Sequence, residues 1–211
     1  MLLGLIGRPC AGKDTAAAVL QRSGWSAIAF ADALRIEVSA AWGIDIRALT
    51  DRAAKETPRA RLAAAYGNHP AWLTHVLSSA IAPYEARSPR WVLQQWGQWR
   101  RTQDPDYWTK HVRAWIDIQR ARRIDRLVVT DVRHQDEADM IASRAGHIVR
   151  VHRPDLPAMD PATASHPSEQ HTAIAAADDI HNDGSLAHLE AEVWRVVAAL
   201  PTHTLTAEST P

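Results

Sequence analysis

The chain has 211 residues, 24 Lys+Arg against 24 Asp+Glu, a formal net charge of zero and 46% hydrophobic residues. Such proportions exclude a disordered, collagenous or coiled-coil chain. A balanced charge also argues against a general nucleic-acid binder, which carries a basic excess, although a local cationic site for a small anion stays open. The only lysines are Lys13, Lys55 and Lys110, so nearly every cation is an arginine. Cys10 is the single cysteine and permits no intrachain disulfide. The apolar run from Met1 to Ile6 is too short for a signal peptide, and no stretch approaches the roughly 20 apolar residues of a membrane span. A cytoplasmic protein with no membrane partner is expected.

In chain order, Leu2 to Ile6 is short, continuous and apolar, as for a strand buried on both faces. A helix follows over Thr15 to Arg22, then a strand over Trp25 to Phe30 and a helix from about Asp32 to Trp42. The stretch from about 50 to 125 reads as mostly helical, with Pro70, Pro89 and Pro105 each suited to a first helical turn. Arg126 to Thr130 repeats the buried-strand signature, followed by a helix over Gln135 to Arg144 and a strand over His147 to His152. Residues 154 to 170 hold four prolines and read as a loop; a last helix runs from about Leu186 to Leu200, before a polar, flexible tail over 201–211. Alternating apolar strands and helices define an α/β layered fold on a mainly parallel sheet.

Gly7 to Gly12-Lys13 has the spacing of a phosphate-binding P-loop, and it falls between a buried strand and a helix. Glycines let the backbone wrap a phosphate, inward N–H groups meet its oxygens, and the helix N-terminus adds partial positive charge. Lys13 is then the cation for the β- and γ-phosphates. The usual Ser or Thr after the lysine is replaced by Asp14, with Thr15 next. Asp14 is a candidate magnesium ligand, directly or through water. Cys10 occupies a variable loop position and reads as a small filler. Asp131 ends an apolar strand, the position of a carboxylate that orients magnesium; the competing reading is a cap for the next helix.

Several short pieces occur together in order: Gly12-Lys13-Asp14-Thr15; Phe30-Ala31-Asp32-Ala33-Leu34-Arg35; Arg90-Trp91-Val92-Leu93-Gln94-Gln95-Trp96-Gly97; Tyr107-Trp108; Thr130-Asp131-Val132-Arg133 with Glu137-Ala138; Val149 to Pro154; His166-Pro167-Ser168-Glu169; and Asn182-Asp183-Gly184. Across about residues 2 to 190 the sequence resembles phage-type deoxynucleoside monophosphate kinases of the P-loop kinase superfamily. The resemblance implies a three-layer kinase fold over 1–200, with a helical acceptor-binding region over about 32–125 and a lid over about 150–172. It implies ATP as co-substrate, Mg2+, and a deoxynucleoside 5′-monophosphate that receives the γ-phosphoryl group. Phosphomevalonate kinases share the Gly-Lys-Asp-Thr loop, so the loop alone does not choose the acceptor.

On this resemblance Lys13, Asp131, Arg133 and Arg153 are catalytic, and Gly7, Gly12, Lys13, Asp14, Thr15 and Asn182 bind ATP, with Asn182 near its base. Asp14 and Asp131 hold the metal. Asp32, Arg35, Arg90, Trp91, Gln94 and Arg101 bind the acceptor. Arg35 matches the Leu-Arg with which adenylate kinases hold the acceptor phosphate, a task suited to a bidentate guanidinium. Gln94 is a candidate reader of the base edge, and the tryptophans of its helix are either stacking platforms or core. Arg153 is the better candidate for a lid arginine, beside Arg150. Three alternatives remain: a kinase for phosphomevalonate, a kinase for dephospho-coenzyme A, and a non-catalytic nucleotide-binding module. A homodimer is left open.

Overall fold

A computed structural model describes residues 1–51, 53–158 and 173–201. Five strands form one parallel sheet: β1 (Leu2–Ile6), β2 (Ser26–Ile28), β3 (Leu127–Val129), β4 (His147–His152) and β5 (Asp178–His181), in the spatial order β2-β3-β1-β4-β5. All five residues of β1 are buried, because helices cover both faces. The helices are α1 (Lys13–Arg22), α2 (Phe30–Trp42), α3 (Arg47–Thr50), α4 (Pro70–Leu77), α5 (Pro89–Gln103), α6 (Tyr107–Ala121), α7 (Gln135–Ala142) and α8 (Leu186–Ala199). Among the described residues no helix is long and apolar enough to cross a membrane.

The chain divides into two compact units. The first comprises Met1–Phe30 with Val112–Pro211, and the second Ala31–His111. The chain passes between them in the first turn of α2 and in the middle of α6.

The first unit holds the sheet. Ala16, Ala17, Val19 and Leu20 of α1 and Leu189, Val193 and Val196 of α8 pack with Leu3, Leu5, Val149, Val151 and Ile180 in one apolar cluster. On the opposite face, α7 presses so closely that Ile141 stands against Gly4 of β1. The order places β1 between β3 and β4, so the connections diverge around it and a crevice opens at its carboxyl end.

The second unit is helical. Its core is aromatic: Trp42, Trp72, Trp96 and Trp99 meet at ring separations of 4.9 to 5.9 Å, mostly edge to face. Trp96 and Trp99 are therefore core residues rather than stacking platforms, at 1% and 3% exposure. His69 and Ser88 accept from the N–H of Trp72 and Trp91, capping the two helices that open on Pro70 and Pro89.

Besides β2, which spans Ser26–Ile28 rather than Trp25–Phe30, and α1, which starts at Lys13 rather than Thr15, four elements differ from the sequence expectation. β5 is not signalled in the sequence; of its residues Ile180 alone is fully buried, while Asp178 is held by Arg195 of α8. Helix α2 starts at Phe30 rather than Asp32, because Asp131 Oδ1 accepts the Phe30 N–H at 2.6 Å. Pro105 lies in a turn before α6, since Asp104 ends α5 and its carboxylate accepts the N–H of Asp106. The helix expected to end at Arg144 stops at Ala142, followed by Ala145 at φ 55°. The expected lid, with His166, Ser168 and Glu169, falls largely outside the described residues, as does the tail beyond Pro201.

Arg195 clamps β5 to α8, bonding Asp178 and Glu192 and donating to Asp179 O at 2.6 Å. Hydrogen bonds from Arg195 hold both carboxyls below their usual pKa. Groups with depressed folded pKa stabilise above the unfolded value near 4, and that contribution disappears as pH falls through the folded value. Arg195→Ala is expected to lower the melting midpoint by about 2 °C at pH 7, with the difference shrinking as pH falls below about 4. Thermal melts of both proteins across that range check this.

Candidate active site

The loop between β1 and α1 is closed by its own lysine. Lys13 Nζ donates to Gly7 O at 2.6 Å and to Arg8 O at 2.9 Å, folding the ammonium over the loop. Gly7 and Gly12 sit at φ 144° and 104°, which favour glycine. Space imposes the same choice: a Cβ on Gly7 would overlap Val151 O, and one on Gly12 would overlap the Asn182 amide. Gly12 precedes α1 and has no side chain to cap it, so the helix start is presented as backbone. Cys10 has φ 65° and is exposed, so it fills no core space, contrary to the sequence expectation.

Asn182, expected near the ATP base, donates its Nδ2 to Ala11 O at 2.8 Å, and its backbone N–H donates to His152 O. The residue thus ties the phosphate loop to the ends of β4 and β5. Arg8, which the sequence reading passed over, donates to Pro157 O at 2.5 Å and joins the loop to the chain beyond β4. Its place inside the loop motif was the available signal.

The parallel sheet brings the segments after β1, β3 and β4 to one edge. The Val132 N–H donates to Leu5 O and the Thr130 N–H to Ile28 O, seating Asp131 in the gap between β1 and β2. Asp131 is 8% exposed, and it anchors the start of α2 rather than that of the next helix. Glu137 does the second task. It is 2% exposed, and its Oε2 accepts the N–H of Arg133 at 2.7 Å and of His134 at 3.2 Å. Glu137 thereby shapes the turn carrying Arg133, whose side chain is half-exposed. An acidic residue in the first turn of α7 was the readable sign. Arg153 follows β4 at the same edge and is exposed, whereas Arg150 is drawn inward, donating to Ile174 O at 2.6 Å.

Asp14 and Thr15 lie exposed in the first turn of α1. Among the described residues no three His, Cys, Asp or Glu side chains gather as a metal site. The oxygen donors at this edge, Asp14, Thr15 and Asp131, still fit a hard cation that keeps most of its own waters. The left-handed glycines and the uncapped helix start fit a phosphate chain.

The expected acceptor residues all belong to the second unit. Arg35 is 2.8 Å from Asp32, which aims its guanidinium along α2. Arg90 pairs with Glu56, its N–H donates to Lys55 O, and Arg87 stacks 4.3 Å above Trp91. Gln94 and Arg101 are half-exposed on α5. The hub of this unit is Glu37, which has no sequence signal. It accepts from Trp96 Nε1 at 2.8 Å, from Arg100 Nε at 2.9 Å and from the Tyr107 hydroxyl. Burial, then the Glu37 hydrogen bond and charge, push the Tyr107 phenol up to about 12.

A glycine loop closed by a lysine, at the switch point of a five-stranded parallel sheet, defines the P-loop kinase fold. The sequence model of the deoxynucleotide monophosphate kinase family matches residues 88–193, half of the chain, and the chain belongs to that family. It is a nucleotide-binding kinase. The dephospho-CoA kinase of Campylobacter jejuni shares the fold at a TM-score of 0.51 and 9% identity, over 93% of this chain and 95% of that one. A structure of TT1252 from Thermus thermophilus matches at a TM-score of 0.49 and 18% identity, over 96% of this chain and 98% of that one. No curated protein matches the sequence.

Glu137→Ala leaves two backbone N–H groups without their acceptor, and is expected to cost about 2–3 kcal/mol in urea unfolding, against about 1 kcal/mol for Glu137→Gln. Equal losses for both would show that the carboxylate charge, not its hydrogen bonding, shapes the turn.

Proposed function

We propose that this kinase transfers the γ-phosphoryl group of ATP to a deoxynucleoside 5′-monophosphate, giving ADP and the diphosphate. The observation that carries the reading is the phosphate loop, with Lys13 already folded over it. The acceptor class rests on family membership.

Phosphoryl transfer needs little covalent help from protein, so positioning and charge neutralisation do most of the work. An acceptor phosphate oxygen bonds to the γ-phosphorus as the bond to the ADP oxygen breaks, and an ionised acceptor has no proton to lose. Lys13 holds the β- and γ-phosphates, and Arg133 and Arg153 offset charge on the transferring group. Arg35, aimed by Asp32, grips the acceptor phosphate, while Arg90, Trp91, Gln94 and Arg101 surround its nucleoside. Gly7, Gly12, Asp14 and Thr15 line the donor phosphates, with Asn182 bracing the loop from behind. Asp14 and Asp131 would hold Mg2+, which neutralises phosphate oxygens when bound. On this reading the enzyme works in the cytoplasm, on free nucleotides rather than on nucleic-acid polymers.

A coupled assay for ADP release with ATP, Mg2+ and each deoxynucleoside monophosphate in turn is expected to show turnover with at least one. Turnover with dephospho-coenzyme A or phosphomevalonate and none with any nucleotide would overturn the acceptor assignment. ATP binding without turnover on any acceptor would point to a binding module.

Lys13→Ala is expected to lower kcat by about 10²–10³-fold with the fold retained. Arg35→Ala is expected to raise the acceptor KM at least about tenfold while leaving ATP affinity unchanged, as read by titration of each ligand separately.

A further inference from the structure

The first unit carries an open surface pocket of about 410 Å³ lined by Arg113, Arg120, Ser143, Arg144 and Ala145. It lies where α6 and α7 end, ahead of the first residues of β3 and β4. In a parallel sheet that is the amino edge, opposite the edge that carries Lys13. A molecule bound there is not a partner in the transfer reaction.

Charge decides what would bind. Three arginines line one space, and one of them, Arg144, is paired with a carboxylate, Asp117, whose Oδ2 lies 3.1 Å away. Two positive charges are left in excess. Arg120 spends one N–H on Arg144 O at 3.0 Å, which ties α6 to the chain after α7. The Arg113 side chain makes no hydrogen bond or ion pair among the described residues. Guanidiniums gathered around one pocket suit bidentate bonds to phosphate oxygens. The volume exceeds what a single phosphate fills and falls within the range of small-ligand sites.

We propose that this pocket is a second anion site, built to hold an oligophosphate chain, either inorganic or the triphosphate of a nucleotide. Helix α7 connects it to the candidate active site. Its first turn carries Glu137, which shapes the Arg133 turn, and its last residue precedes Ser143 and Arg144. At about 1.5 Å per residue the two ends lie about 12 Å apart.

The test titrates the full chain, without Mg2+, with tripolyphosphate and separately with a deoxynucleoside triphosphate, by calorimetry. Two binding events are expected for each. Lys13→Ala removes the phosphate-loop event and leaves the other. Arg113→Glu, an exposed substitution, weakens the second event at least about tenfold and leaves kcat and the Lys13-dependent event unchanged; Arg120→Gln weakens the second event also. Equal affinity for the two probes assigns the site to the phosphate chain alone, and tighter binding of the nucleotide adds its nucleoside. One event only, lost in Lys13→Ala, overturns the proposal. A second event indifferent to both arginine variants, or Arg113-dependent binding of duplex DNA with neither small anion bound, overturns it as well. Because the Lys13 arm is read separately, failure here leaves the kinase reading intact.

Discussion

Two close approaches of backbone govern the donor side of this molecule. Gly7 stands against the backbone carbonyl of Val151, where no side chain fits, and Gly12 stands against the side-chain amide of Asn182. They fix the loop to β4 and to the residue after β5, so the phosphate cradle is part of the sheet's edge. A loop held this way needs no ligand to set its shape, and little ordering cost remains when one binds. The parallel sheet supplies the rest, since every strand delivers its following residue to the same edge.

Buried carboxylates organise what surrounds the loop. Asp131 and Glu137 are both nearly inaccessible, and each accepts from backbone N–H groups at a helix start. Unmet donors there would cost about 1–3 kcal/mol apiece. Glu37 has the same part in the helical unit with side-chain donors instead, gathering an indole, a guanidinium and a phenol around one carboxylate. The arginines of the chain are correspondingly divided. Arg100 and Arg150 are committed to internal acceptors, Arg35 is paired with Asp32 on its own helix, and Arg153 is exposed.

Sequence made the local parts legible. β1, the phosphate loop and the proline-opened helices α4 and α5 depend on neighbours in the chain, and their residues carry that information. β5 was invisible because three of its four residues are charged or imidazole, and its stability comes from β4 and from Arg195. The start of α2 was misjudged because its acceptor lies 101 residues away. Within the site, the loop motif lies between β1 and α1 as its spacing suggests, while the bond from Asn182 to the loop's own carbonyl is an arrangement only the fold could reveal. Glu37 shows the same limit, since nothing around it in the sequence distinguishes a hub from a solvated helix glutamate.

The helical unit is entered through the first turn of α2 and left in the middle of α6. Neither joint is a loop that could be cut and resealed. The unit is spliced into continuous helices rather than appended, and a graft from a relative would have to match helical phase at both seams. On the proposed reading, acceptor preference in such an architecture is most readily changed one side chain at a time along α5, with the scaffold left whole.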